Sequence, residues 1–211
     1  MNEAYLPALM VVGFVAFFGL ILFLGAKASA RNRERVGQLA GRLGLELETA
    51  KPALGVFYPS PRASGRIRGK AVALYNYTTG SGKSRTTWAA VSVTPAADGG
   101  LTFGFGRQGL GTKLQELFGA REIVVGSPEF DAAWFVQTNA PDFLRTALLP
   151  ELLEKFREFR GAFKLERAQV TYVEMGQFDS EERCRRFENA VGLACDLADI
   201  AEVYARHGGR V

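Results

Sequence analysis

"GRIRGKAVALYNYTTGSGKSRTTWAAVSVTP", Gly65 to Pro95, carries two rival readings. From its middle, Gly82-Lys83-Ser84 is the end of a phosphate-binding G-x-x-x-x-G-K-[ST] loop. From its flanks, Gly65 to Thr79 and Arg85 to Pro95 alternate in polarity and are rich in Val, Tyr, Trp and Thr, the pattern of half-buried strands. The flanks decide. The first glycine of a phosphate loop belongs at position 77, where the chain has Tyr77, and a strand follows where the loop needs a helix N-terminus. Gly80-Ser81-Gly82 is therefore expected to be a turn between two strands, with Lys83 and Arg85 at its tip. No nucleotide-binding residue is assigned.

The strand reading extends downstream. "LTFGFG" places Leu101, Phe103 and Phe105 on one side of a strand. It runs into Gly104-x-Gly106-x-x-Gly109, a literal dinucleotide fingerprint. The unit around it is too short for a βαβ fold, and its neighbouring strands read as antiparallel, so these glycines are expected to allow a bulge or close packing. "GTKLQELFG" reads as a short helix, with a capping box from Thr112 to Gln115 and a stop at Gly119. "EIVVG" and "AWFVQT" read as strands. "NAPDFLRTALLPELLEKFREF" reads as a helix begun by Asn139, with Pro141 in its first turn and Pro150 splitting or kinking it. "AFKLERAQVTYVEMG" reads as a strand pair. "DSEERCRRFENAVGLACDLADIAEVYAR" reads as the last helix, capped by Asp179 or Ser180 and favoured by Glu181 and Glu182 at its positive end.

Upstream, "AYLPALMVVGFVAFFGLILFLGA", Ala4 to Ala26, has no charged residue. As a helix it is about 35 Å long, enough to cross a hydrocarbon core of about 30 Å. A cleaved signal peptide fits less well, although "AKASA" resembles a cleavage site: the start, Met1-Asn2-Glu3, has no Lys or Arg, and the apolar run is long. A buried soluble helix fits poorly, because the stretch is apolar all round. Lys27, Arg31, Arg33 and Arg35 follow it, so the positive-inside rule places the C-terminal side in the cytosol. Twelve basic residues against four acidic ones lie between Lys27 and Gly100, in a chain of net charge +4. Lys27, Arg31, Arg33 and Arg35 are the expected contacts to lipid headgroups. "RVGQLAGRLGLELE" then puts Val36, Leu39, Ala40 and Leu43 on one helical face, with Gly44 as a left-handed cap and Leu45 returning as its apolar partner.

Catalytic chemistry finds little material here. The two cysteines, Cys184 and Cys195, fall eleven residues apart in one helix, about 16 Å, too far for a disulfide or a shared zinc ion. That usage fits a reducing compartment. The one histidine, His207, reads as a polar residue of a last helical turn. Glu129 with Asp131, and Asp196 with Asp199, are the carboxylate pairs that acid–base chemistry would need in a desolvated cleft. No catalytic residue, metal site or cofactor is assigned.

"EIVVGSPEFDAAWFVQTNAPDFLRTALLPELLEKFREFRGAFKLERAQVTYVEMGQF", together with "LAGRLGLELE" after the apolar span, resembles a family of membrane-anchored bacterial proteins classed as a domain of unknown function. The resemblance implies a bacterial inner-membrane protein and no particular activity.

The expected architecture is α+β: one N-terminal transmembrane helix, then a mixed, mainly antiparallel sheet packed with helices. The expected divisions are an anchor at 1–26, a basic juxtamembrane helix at 27–50 and a cytosolic domain at 51–211. The expected function is a single-pass, membrane-anchored binding or scaffolding domain whose partners are the bilayer and other membrane proteins, with no nucleic acid. The alternative is a membrane-tethered, hydrolase-like enzyme using acidic residues.

Overall fold

The computed structural model describes residues 5–48, 59–108 and 121–207. The short helix expected over 111–119, Gly109 and most of the proline-marked connector at 51–61 lie outside the described residues. Five helices and nine strands are described. The first helix, α1, spans Tyr5–Leu43 without a break. The strands are β1 (Glu46–Leu47), β2 (Arg62–Ile67), β3 (Lys70–Thr79), β4 (Thr86–Thr94), β5 (Phe103–Arg107), β6 (Arg121–Ile123), β7 (Trp134–Thr138), β8 (Ala162–Glu166) and β9 (Gln169–Met175). Helices α2 (Pro128–Ala133), α3 (Pro141–Ala147) and α4 (Pro150–Lys155) are short, and α5 (Glu181–Arg206) is long.

All nine strands form one sheet in the order β1-β2-β3-β4-β9-β8-β5-β7-β6, and every pairing is antiparallel. One row of directly opposed residues crosses the whole sheet: Leu47, Ala63, Leu74, Val91, Tyr172, Phe163, Phe105, Val136 and Ile123. Every member is apolar or aromatic, and all but Leu47 are buried. Register follows from this row, because a slip of one residue would turn each of these side chains to the opposite face. The edge strands β1 and β6 have two and three residues, which limits the unpaired backbone offered to another chain.

The helices build the second layer over that row. In α5, Cys184, Phe187, Val191, Ala194, Cys195, Ala198 and Ala201 are buried at helical spacing, and the helix packs on β4 and β9. Beside it, Val36, Leu39 and Ala40 of α1 are buried against the same core, and α1 also contacts β1 and β2. Phe156 fills the space over β5, β7 and β8, with ring centroids about 5 Å from those of Phe105, Trp134 and Phe163.

Turns and caps follow from local chemistry. Gly44 is left-handed (φ 67°); its N–H donates to Gly41 O, and the Leu45 N–H to Ala40 O, the paired bonds of a Schellman cap, with Leu45 buried. Arg68 and Gly69 both have positive φ and join β2 to β3 in a two-residue turn. Arg167 and Ala168 make the same kind of turn between β8 and β9 without a glycine. Ser180 caps α5, its side chain accepting from Arg183 N–H. Pro150 divides the expected helix into α3 and α4.

Asn139 is not the cap of α3. Ala140 holds that position, and the Asn139 side chain instead accepts from Thr102 N–H at 2.9 Å and donates to Gly100 O at 2.8 Å. An Asn before Ala-Pro has helix-capping chemistry, but the adjacent β4–β5 connection offers it two backbone partners at once. The sheet is wholly antiparallel, with no parallel pair among the described strands.

Candidate functional site

The junction between the apolar span and the domain is the feature most unlike an ordinary soluble fold. The most apolar window of α1 has none of its residues buried in the domain, and Met10, Phe14, Phe17 and Phe23 are more than 60% exposed. In water such a surface is unfavourable by roughly 25 cal/mol per Å², so the helix is long and apolar enough to cross a membrane and is not a core helix. The helix then runs straight into the domain: Asn32 and Val36 are already buried. From Ala26 to Asn32 is about 9 Å along a helix. The polar layer on each side of a bilayer is about 5–8 Å thick. With the apolar run across a bilayer, the buried part of the domain would begin next to the headgroup layer.

Lys27, Arg31 and Arg35 recur every four residues along one face of this segment, while Arg33 points about a third of a turn or more away from each of them. Lys27 and Arg31 are exposed; Arg33 and Arg35 are half-buried.

The ionisable groups inside the domain are engaged with one another. Glu174 of β9 is 7% exposed and accepts from four donors: Arg183 Nε (3.1 Å) and Arg186 Nη2 (2.6 Å) at one oxygen, Tyr172 Oη (3.0 Å) and Arg186 Nε (3.2 Å) at the other. Burial by itself would raise this carboxyl, but the hydrogen bonds and charges of Arg186 and Arg183 outweigh it and hold the group below the usual carboxylate range. Tyr172 is driven upward, first by burial and then by the Glu174 charge; its hydroxyl accepts from Gly161 N–H at 3.1 Å. With every lone-pair direction of Glu174 used, this cluster fastens α5 to the sheet and offers nothing to a substrate.

The carboxylates singled out in the sequence are likewise occupied. Asp196 receives Arg68 at 2.6 Å and Lys155 at 2.7 Å; Asp199 receives Arg68 at 2.6 Å and Lys70 at 2.9 Å. Lys70, itself buried, also pairs with Glu202. Burial opposes ionisation of Asp196, but Arg68 and Lys155 win and lower its carboxyl. These bonds tie the β2–β3 turn to the C-terminal half of α5. The left-handed Arg68 aims its guanidinium at α5, a link no sequence motif announces. Asp131 accepts from Val125 N–H and Gly126 N–H, both at 2.9 Å, and so holds the turn before α2. Glu129 pairs with Arg157 on the surface, at the rim of a cavity of about 110 Å³ that Arg107 and Trp134 also line. An open depression of about 310 Å³ between α4 and α5 is lined by Leu149, Leu152, Lys155, Asp196, Asp199 and Ile200. Its acids are the ones already paired.

Among the described residues, neither glycine motif forms a phosphate cradle. Thr78–Thr87 is a hairpin tip, with Gly80 left-handed and a single 3-10 turn at Gly82–Ser84. Gly104 and Gly106 sit inside β5, Gly104 paired with antiparallel strands on both sides and Gly106 with β7, and the ring of Phe135 lies where a Gly106 side chain would be. Cys184 and Cys195 are buried free thiols pushed upward by burial. His207 sits at the C-cap of α5, its Nδ1 2.9 Å from Val203 O. No grouping of His, Cys, Asp and Glu suited to a metal ion occurs among the described residues.

No family model matches the chain, and no curated protein does. Among solved structures, the chain is similar to the mycobacterial trehalose monomycolate transport factor A, TtfA, at 13% identity and a TM-score of 0.50, over 81% of this chain and 93% of that one. At that identity the likeness concerns the fold alone.

Proposed function

We propose that this chain is a single-pass inner-membrane protein of a bacterium, with its N-terminus outside and its α+β domain in the cytoplasm, and that the domain serves as a binding or scaffolding module for other membrane proteins. The observation that carries the reading is the unbroken α1, whose one end is apolar and unpacked and whose other end is part of the domain core. Anchor and domain are then one rigid body, held at a fixed height below the bilayer. Lys27 and Arg31 lie in the headgroup layer, with Arg33 and Arg35 just beneath it; each cation near an anionic leaflet adds roughly 1 kcal/mol of attraction, and together the four set the orientation. A structural neighbour described as a transport factor fits an accessory role of this kind. Its cargo is not carried over to this chain. The occupied carboxylates weigh against the tethered hydrolase.

Reporter fusions test the topology. Alkaline phosphatase joined to the C-terminus should be inactive and GFP there fluorescent; the opposite pair of results, or a mature protein lacking its first 30 residues, overturns the reading. Cross-linking on intact membranes should then trap the chain with at least one other membrane protein. Recovery of the chain alone, with a hydrolytic activity abolished by Asp196→Asn, would favour the enzyme instead.

A further inference from the structure

The β3–β4 hairpin has a feature that the failed phosphate motif hides. From Thr78 to Thr87 it holds Lys83 and Arg85 and no acid, and Lys83, Ser84 and Arg85 are exposed. Just below the tip, Tyr77 and Trp88 face each other across the two strands, and Met175, 60% exposed, lies next to Trp88 on β9. The register puts these three on the sheet face opposite the apolar row that α1 and α5 cover. The Trp88 indole N–H donates to Thr79 Oγ1 at 2.9 Å, which fixes the ring near the tip. Amphipathic aromatics beside cations are the chemistry of a membrane–water interface.

The register also gives the height of this tip. Gly65 pairs with Val72, and a side chain on Gly65 would meet Leu45 Cα at 3.4 Å and Gly44 O at 3.7 Å, so the end of α1 is level with Val72. From there β1 runs toward the tip end of β3, since Glu46 is opposite Ser64 and Leu47 opposite Ala63. Helix α1 folds back alongside β1, with Gly37 against the Leu47 side chain. Going up the helix from Gly44 to Lys27 is about 26 Å. Going up β3 from Val72 to Gly80 is also about 26 Å. A tilt of 40° between helix and strand lowers the first figure to about 20 Å, which would put the tip about 6 Å beyond Lys27 toward the hydrocarbon.

We propose that the β3–β4 hairpin tip is a second membrane contact, with Lys83 and Arg85 on anionic headgroups and Tyr77 and Trp88 at the interface, so that the domain touches the leaflet at two points. This rests on the reading that α1 spans the bilayer. A single helix leaves the domain free to rotate about its axis; a second contact fixes which face of the sheet is presented to neighbours in the membrane plane.

The test uses the full chain in nanodiscs, labelled at Ser81→Cys with an environment-sensitive fluorophore, with Ala97→Cys at the opposite end of the sheet as the control. The native cysteines are buried and stay unlabelled in the folded protein. In discs containing phosphatidylglycerol, the Ser81 probe should be shielded from an aqueous quencher and reached by a headgroup-depth lipid quencher, and the Ala97 probe should not. Lys83→Gln with Arg85→Gln should shift the docked-to-free ratio by roughly 30-fold. A Ser81 probe as water-exposed as the Ala97 probe in anionic discs overturns the proposal, and so does shielding indifferent to the double substitution. Failure of the chain to enter discs at all would instead refute the spanning helix.

Discussion

Replacing Glu174 by Gln removes one charge from a site where three side chains converge on it. Arg186 and Arg183 are left with side chains only 10% and 18% exposed, and the new amide NH2 faces donors. Breaking a buried pair from one side costs about 3–5 kcal/mol. Arg183 retains Asp179 and Gln177 O, and Arg186 retains Glu182, so the lower end, about 3 kcal/mol, applies here. For a domain of this size that is a fall of about 10 °C in the melting midpoint. Near-UV circular dichroism of the full chain in detergent micelles, dominated by the buried Trp134 and the aromatic core, would report it. Glu129→Gln is the matched control. It breaks an ion pair whose members are 81% and 63% exposed, and the loss should stay below about 1 kcal/mol. Equal midpoints for the two variants would refute the assignment of Glu174 as the pin between α5 and the sheet.

Two further outcomes follow from the same core. A methyl group on Gly161 would fall 1.9 Å from Val173 O, a backbone atom fixed in the sheet, whereas one on Gly106 would meet only the half-exposed ring of Phe135. Gly161→Ala should therefore lower the midpoint well beyond Gly106→Ala, by about 1–3 kcal/mol or more, and the reverse order in thermal melts would contradict the packing. Acid should loosen the fold: Glu174 and Asp196 are held below their ordinary values, so the stability they add is full above about pH 4.3 and is lost as pH falls through their lowered folded values. An acid titration of unfolding should be shallower in Glu174→Gln than in the parent chain.

Much of the architecture was legible in the residue order, because it depends on neighbours in sequence. A run of uncharged residues, β-prone alternating stretches at β3 and β4, a glycine after Leu43, a serine before Glu181 and a proline at 150 each act within a few residues, and the structure has the corresponding helix, strands, cap, N-cap and break. What the sequence left open depends on distant partners. Asn139 has capping chemistry, but the β4–β5 connection, nearly forty residues upstream, takes its side chain. Asp196 and Asp199 read in sequence as a solvated helix face before they read as a catalytic acid pair. Only the fold brings Arg68 within 2.6 Å of both, across more than 120 residues. The position of β5 between β8 and β7, and the four donors around Glu174, likewise exist only after nine strands have closed into one sheet. The height of the hairpin tip relative to Lys27 belongs to the same class. Residue order sets the length of each element through its rise per residue, but where two elements stand side by side is fixed by register, and register is decided by which side chains share a buried face.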